Sequence, residues 1–307
     1  MGDEIDNSSY MHMLYHPLKD TVIYSRGRSI HEYDFYNQTD DAVGDLETEL
    51  SANIVGLFHS LIEGYLHVVD EATQCYHRLN IQNDYGQFDY CYEVFPFAVG
   101  NAVLLTPLSN STHFIYDTYS TVWRITKRAN NTLFEMEFGY VWKNAPVNSM
   151  SVDPSMTYLY LSTVEGVWKL SYGIAGPEML LRSSNISRDD KISDASIVVP
   201  GELMFVDENV SLVIERKTQR LKVMRLNANY MTSICEAHTG NESVEGRISS
   251  CKLLEPQFIA GQPSENTSEI LIGGKELYSL RYTETITTTT TSTTTAAAGK
   301  YACMYVC

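Results

Sequence analysis

The sequence predicts an all-β fold, a six-bladed β-propeller followed by an extended Thr-rich C-terminal tail. Two observations carry that expectation. A pattern of apolar strand, tight polar turn and second strand returns six times along the chain. With Ile30, Tyr76, Val122, Val167, Leu221 and Leu277 as markers, the steps are 46, 46, 45, 54 and 56 residues. A strand-built repeat of that length is the signature of propeller blades.

Each copy alternates at period two, so it has one apolar face that a lone hairpin cannot bury. The copies are Thr21 to Tyr24 with Ile30 to Tyr33, Tyr65 to Asp70 with Tyr76 to Leu79, and His113 to Asp117 with Val122 to Ile125. They continue with Tyr158 to Ser162 and Val167 to Leu170, Leu212 to Glu215 and Leu221 to Met224, then Ile270 to Ile272 and Leu277 to Leu280. Radial stacking of four-stranded sheets hides such faces and leaves only short edges. An ordinary sandwich hairpin explains any one copy, and the even spacing favours the propeller.

At 307 residues and 44% hydrophobic, the chain can bury a large core, and six blades account for residues 1–286 as one domain. The last repeat is short and lacks a fourth strand, whereas Ser9 to Tyr15 precedes the first hairpin. The N-terminal segment is therefore expected to complete the last blade and close the ring. Residues 287–300 form a Thr/Ala-rich stalk or linker, and 301–307 read as the start of a Cys-containing module or a terminal tail. The polar start and terminal Cys307 suggest a processed or partial chain.

A net charge of −16, from 22 basic and 38 acidic residues, disfavours nucleic acid and anionic lipid. No apolar run approaches membrane-spanning length, so no membrane insertion is expected within this segment.

Compartment is read from eight Asn-X-Ser/Thr sequons at Asn7, Asn37, Asn110, Asn130, Asn185, Asn209, Asn241 and Asn266, where chance supplies about three. Only the secretory pathway glycosylates such sites. The Thr287, Thr288, Thr289, Thr290, Thr291, Ser292, Thr293, Thr294, Thr295 run is a candidate O-glycosylated spacer, the alternative being a bare flexible linker. Cys75 and Cys91 are 16 residues apart, as are Cys235 and Cys251. This spacing suggests two loop-closing disulfides, each contributing on the order of 3 kcal/mol. The pairs do not occupy equivalent blade positions, and reduced buried thiols are the alternative. Cys303 and Cys307 follow the Thr run and are candidates for a further disulfide.

Two segments resemble the NHL-repeat and related six-bladed propellers. They are Gly64 to Asp70 with Tyr76 to Leu79, and Met231 to Cys235 through Gly246 to Leu253, Leu254, Glu255 and Pro256. That resemblance implies the fold and is nearly silent on activity. Ser25, Ser162 and Gly273 stand where the family's hairpin acid is expected.

Catalytic constellations are absent from the sequence: there is no Gly-x-Ser-x-Gly, His-Glu-x-x-His, phosphate-binding glycine loop, EF-hand pattern or Cys-x-x-Cys. His12 and His16 lie in a predicted strand, which removes the helical geometry a metal site would need. His67 and His77 face each other across one predicted hairpin and are read as packing residues. Asp70, Asp117 and Glu215 recur at one blade corner, which suggests either turn capping or calcium held in a central channel. Trp123 and Trp168 share one repeat position and are read as inter-blade core.

These readings favour a non-catalytic extracellular or cell-surface glycoprotein whose propeller contacts other extracellular proteins or copies of itself in a matrix, coat or fibrous assembly. No catalytic, metal or cofactor residue is assigned. The alternatives are a calcium-dependent propeller hydrolase or lyase acting on sugars or esters, and a receptor ectodomain. The long excursions Ser183 to Val199 and Asn229 to Ser250 are the expected contact surfaces, because long loops on a rigid scaffold commonly carry binding.

Overall fold

The computed structural model describes residues 10–16, 19–46, 50, 54–60, 65–70, 72, 75–81, 88–94, 102–107, 112–117, 120–127, 134–142, 145–171, 176–237, 252–253, 255–261, 267–274, 277–286 and 300–306. Among these residues there is no helix, and the strands form six sheets arranged as a six-bladed β-propeller.

Blade one is β1 (Tyr10–His16), β2 (Thr21–Arg26), β3 (Ser29–Asp34) and β4 (Thr39–Asp45). Blade two is β5 (Ile54–Ser60), β6 (Tyr65–Asp70), β7 (Cys75–Asn80) and β8 (Phe88–Val94). Blade three is β9 (Ala102–Pro107), β10 (Thr112–Asp117), β11 (Thr121–Lys127) and β12 (Phe134–Val141). Blade four is β13 (Val147–Val152), β14 (Tyr158–Thr163), β15 (Gly166–Ser171) and β16 (Glu178–Ser183). Two short strands follow, β17 (Asp190–Lys191) and β18 (Ser196–Ile197). Blade five is β19 (Pro200–Phe205), β20 (Val210–Glu215), β21 (Arg220–Arg225) and β22 (Tyr230–Ala237), with β23 (Lys252–Leu253) alongside β22. Blade six is β24 (Phe258–Gly261), β25 (Thr267–Gly273), β26 (Leu277–Ile286) and β27 (Lys300–Val306).

The second strands form the buried spine. Val22, Ile23, Leu66, Val68, Phe114, Ile115, Leu159, Leu161, Leu212, Ile214, Ile270 and Ile272 are all nearly inaccessible, alternate residues facing the two neighbouring blades. Core clusters accordingly run between blades. One joins Ile23 and Ile30 to Leu57, Leu66 and Leu79, and another joins Leu212 and Ile214 to Ile259, Ile270 and Ile272. Every sequence marker stands on the third strand of its blade. Burying these faces is the main stabilising term, at roughly 25 cal/mol per Å² of apolar surface.

The first strands surround the central axis, and β1, β5, β9, β13, β19 and β24 touch one another in that order, with β24 returning to β1. The expected closure differs from the observed one. The N-terminal segment does not complete the last blade: β1 pairs antiparallel with β2, from His16 opposite Thr21 to Tyr10 opposite Arg26. A tight turn, with Asp20 at φ 59° and its N–H on the His16 carbonyl (2.9 Å), folds β1 back locally. The fourth strand of blade six is β27, paired with β26 from Val306 opposite Leu280 to Lys300 opposite Ile286. The segment expected to begin a separate module is thus a blade strand. The ring is fastened by packing, with Val22, Tyr24 and Phe35 of blade one against Ala260 and Leu271 of blade six.

Candidate binding surface at the edge of blades four and five

Between β16 and β19 the chain makes an excursion that is folded onto both neighbouring blades. β18 adds parallel to the outer strand of blade four, Arg182 opposite Ser196 and Ser183 opposite Ile197. β17 adds antiparallel to the outer strand of blade five, Asp190 opposite Met231 and Lys191 opposite Tyr230. Unpaired edge groups of two sheets are thereby satisfied by one segment. Ile192, Ala195 and Ile197 supply its apolar side and pack with Leu181, Phe205, Val213, Met224 and Met231.

Asp189 pins the excursion to blade five. Its Oδ1 accepts from Lys222 Nζ at 2.7 Å and from Ser233 Oγ at 2.9 Å, and its Oδ2 accepts from the Ser233 N–H at 2.7 Å. The Lys222 side chain is fully buried. Burial opposes the Asp189 charge, yet the Lys222 ammonium and the Ser233 donors outweigh it and hold the carboxyl below its ordinary value. Farther along, the Val198 N–H donates to Glu215 Oε1 at 2.6 Å and the Arg216 N–H to the Val199 carbonyl at 3.1 Å.

The rigid outer side presents apolar and cationic groups together. Ser184 Oγ and Ser196 Oγ both donate to the Ile186 carbonyl, at 2.6 and 2.5 Å, which fixes a backbone whose isoleucine is 74% exposed. An open cavity of about 590 Å³ lies beside it, lined chiefly by Met179, Leu180, Arg182, Arg188, Ile192 and Asp194. Arg188 pairs with Asp190 at 2.7 Å, while the exposed Arg182 makes no ion pair among the described residues.

Of the sequons, Asn37, Asn185 and Asn209 lie in described, exposed positions between strands. Asn7, Asn110, Asn130, Asn241 and Asn266 fall outside the described residues, as do Thr287 to Thr295, Cys251 and Cys307. Cys75, Cys235 and Cys303 lie in β7, β22 and β27. Cys91 is in β8 with φ 49° and is disulfide-bonded, and the assignment of Cys75 as its partner stays a proposal. The Asn229 to Ser250 excursion is described only to Ala237.

The corner acids Asp70, Asp117 and Glu215 end the second strands of their blades, and side-chain surroundings are described for Asp70 and Glu215. Asp70 is fully buried, accepts from the Ala72 N–H at 2.9 Å, and has the His77 ring 3.4 Å away. Glu215 is also fully buried, taking the Val198 N–H and the Thr218 hydroxyl. The equivalence with Ser25, Ser162 and Gly273 is one residue out. Leu221 pairs with Ile214 and Val167 with Ser162, so Thr163, opposite Gly166, corresponds to Glu215, opposite Arg220. Thr163 Oγ1 caps that turn by accepting from the Glu165 N–H at 3.1 Å.

His67 and His77 do not face each other. His67 is opposite Arg78 and Val68 is opposite His77, so the two rings stand on opposite faces of the hairpin. Trp168 is partly buried, its Nε1 donating to Thr163 Oγ1 at 3.2 Å and its ring meeting Trp142 edge-on at 5.4 Å. Trp142, only 1% exposed, is the principal inter-blade aromatic here, and its position after β12 lies outside the repeat that singled out the other two. Among the described residues no group of three His, Cys, Asp or Glu side chains converges as a metal site.

No protein-family model and no curated protein matches the chain. The resemblance to NHL repeats therefore rests on the propeller fold alone. Among solved structures, the chain is similar to an auxiliary nutrient binding protein of Bacteroides thetaiotaomicron, with a TM-score of 0.65 at 11% identity, over 87% of this chain and 67% of that one. A second auxiliary nutrient binding protein, from Bacteroides ovatus, gives 0.64 at 15% identity, over 86% and 66%. A chain of a nidogen/laminin complex gives 0.53 at 11% identity, over 74% and 80%. At such identities the likeness is one of fold, and the fold it supports is the six-bladed propeller.

Proposed function

We propose that this chain is a non-catalytic extracellular glycoprotein whose propeller serves as a rigid protein-contact unit, with the edge of blades four and five as its docking surface. The observation that carries this reading is the excursion between β16 and β19, which is bound to two blades, holds Ile186 exposed and borders an open cavity lined in part by Arg182. Ordering that surface before contact lowers the entropic cost of binding. The sequons and the paired Cys spacing support the compartment, and the Thr run supports a spacer role. Likeness to a chain of a nidogen/laminin complex is compatible with protein contact.

Cross-linking mass spectrometry on the native extracellular fraction tests it. Exposed Lys191 should link to a second protein or a second copy, and Ile186→Asp should remove those links while sparing links made elsewhere. Links confined to the chain itself, or unchanged by Ile186→Asp, would contradict the reading.

A further inference from the structure

Four consecutive blades each place a partly exposed inner-strand residue near the same end of the axis: His12 on β1, Phe258 on β24, Glu202 on β19 and Asn148 on β13. These residues form a connected group. The His12 and Phe258 rings lie 6.2 Å apart at 44°. The next N–H along, that of Ile259, donates to Glu202 Oε2 at 2.8 Å. Asn148 Nδ2 donates to the Pro200 carbonyl at 3.3 Å, and Ser149 Oγ to the Gly201 carbonyl at 3.1 Å, joining blade four to the strand that carries Glu202.

Arg216 completes the group from the turn after β20. Its side chain lies flat over Gly201, where a Cβ would meet Arg216 Cγ and Nε at 2.9 Å. The Arg216 Nε–H is enclosed and makes no hydrogen bond. An enclosed donor without an acceptor costs about 1–3 kcal/mol, and the donors open to a ligand are the terminal guanidinium nitrogens of this partly exposed side chain. Glu202 Oε1 likewise has no protein donor among the described residues.

We propose that this axial group is a second binding site, for a neutral polyhydroxylated ligand such as a sugar ring. The assignment follows from three requirements. A guanidinium donor beside a carboxyl acceptor matches a hydroxyl pair, which can accept from one and donate to the other. The Phe258 face offers the flat apolar surface on which a ring's C–H groups pack. Charged ligands fit less well: the net charge of −16 opposes an anion, and Arg216 opposes a cation. His12 adds no charge at neutral pH, because desolvation pushes it down to about 4. This site is separate from the edge of blades four and five, so its failure would leave that reading intact.

Calorimetric titration of the full chain with glucose, galactose, mannose, N-acetylglucosamine and myo-inositol tests the proposal, with sodium acetate and choline as charged controls. At least one neutral ligand should bind while the controls do not. Arg216→Gln and the isosteric Glu202→Gln should each weaken that binding about ten-fold, the loss expected for one hydrogen bond. Ile186→Asp should leave it unchanged. Absence of binding across the panel, tighter binding of acetate, or an affinity unmoved by Glu202→Gln in a chain of unaltered circular dichroism would overturn the proposal.

Discussion

Lys222 is a fully buried cation whose counter-ion is supplied from a different blade edge, by Asp189. Removing one partner of such a pair leaves an uncompensated charge, whereas replacing the cation with an apolar residue of similar volume is far milder. Asp189→Ala should therefore cost about 3 kcal/mol in urea denaturation. Lys222→Met should cost clearly less, because it removes the buried charge together with the need for a partner. Titratable residues at three other positions set the pH response. Burial raises Glu202 from 4.5 to about 7, and lowers His12 and His113 from 6.5 to about 4 and about 3. The folded chain keeps the Glu202 proton after the unfolded chain has lost it, so this residue subtracts stability as pH rises from about 4.5 to about 7. The two imidazoles act in the opposite sense, since the unfolded chain protonates first and stability is lost as pH falls below about 6.5. For these three groups the optimum lies near pH 6.5. In denaturation series across pH, Glu202→Gln should raise stability at pH 8 by as much as roughly 3 kcal/mol, and acid loss through His12 and His113 should remain. A pH 8 stability unchanged by that substitution would contradict the account.

Element geometry turns on a few backbone positions. Gly166 opens β15 at φ 147°, and a Cβ there would sit 2.0 Å from the Leu181 carbonyl oxygen. Gly166→Ala should therefore destabilise by about 3 kcal/mol, combining an unfavourable backbone with a backbone clash. A loss under 1 kcal/mol in the same assay would show that β16 gives way. The second and third strands of every blade were legible because they carry the apolar alternation that the inter-blade core requires, as at Leu159, Leu161 and Leu170 towards one neighbour and Val167 towards the other. First and fourth strands were less legible. β1 is polar at His12 and His16, and β27 is separated from β26 by a Thr-rich stretch with no apolar alternation of its own. The hairpin acid was misregistered by one residue because Thr163 and Gly166 enclose a two-residue turn while Glu215 and Arg220 enclose four. The Ser183 to Val199 excursion was legible as an insertion from the longer repeat step. Its double attachment was not, because Asp189 finds Lys222 and Ser233 only once blade five is folded. Nothing in the repeat pointed to Glu202, Arg216 or Phe258, which meet around an axis that sequence order does not show.

Over the whole molecule, blades are consecutive in the chain and the ring closes by side-chain packing between blades one and six. That leaves a disc with two proposed sites, one on the perimeter at Ile186 and Arg182, the other near the axis at Glu202 and Arg216. The proposed extracellular role rests on chemistry that the fold alone does not supply, namely sugars expected on sequons such as the exposed Asn37, Asn185 and Asn209, and the expected cysteine bridges. The most direct test is peptide mass spectrometry of the natively produced chain, under non-reducing conditions and before and after enzymatic removal of glycans. The account predicts N-linked sugar at Asn37, Asn185 and Asn209, O-linked sugar within Thr287 to Thr295, and bridges joining Cys75 to Cys91 and Cys235 to Cys251. Bare asparagines and threonines with free thiols would contradict it.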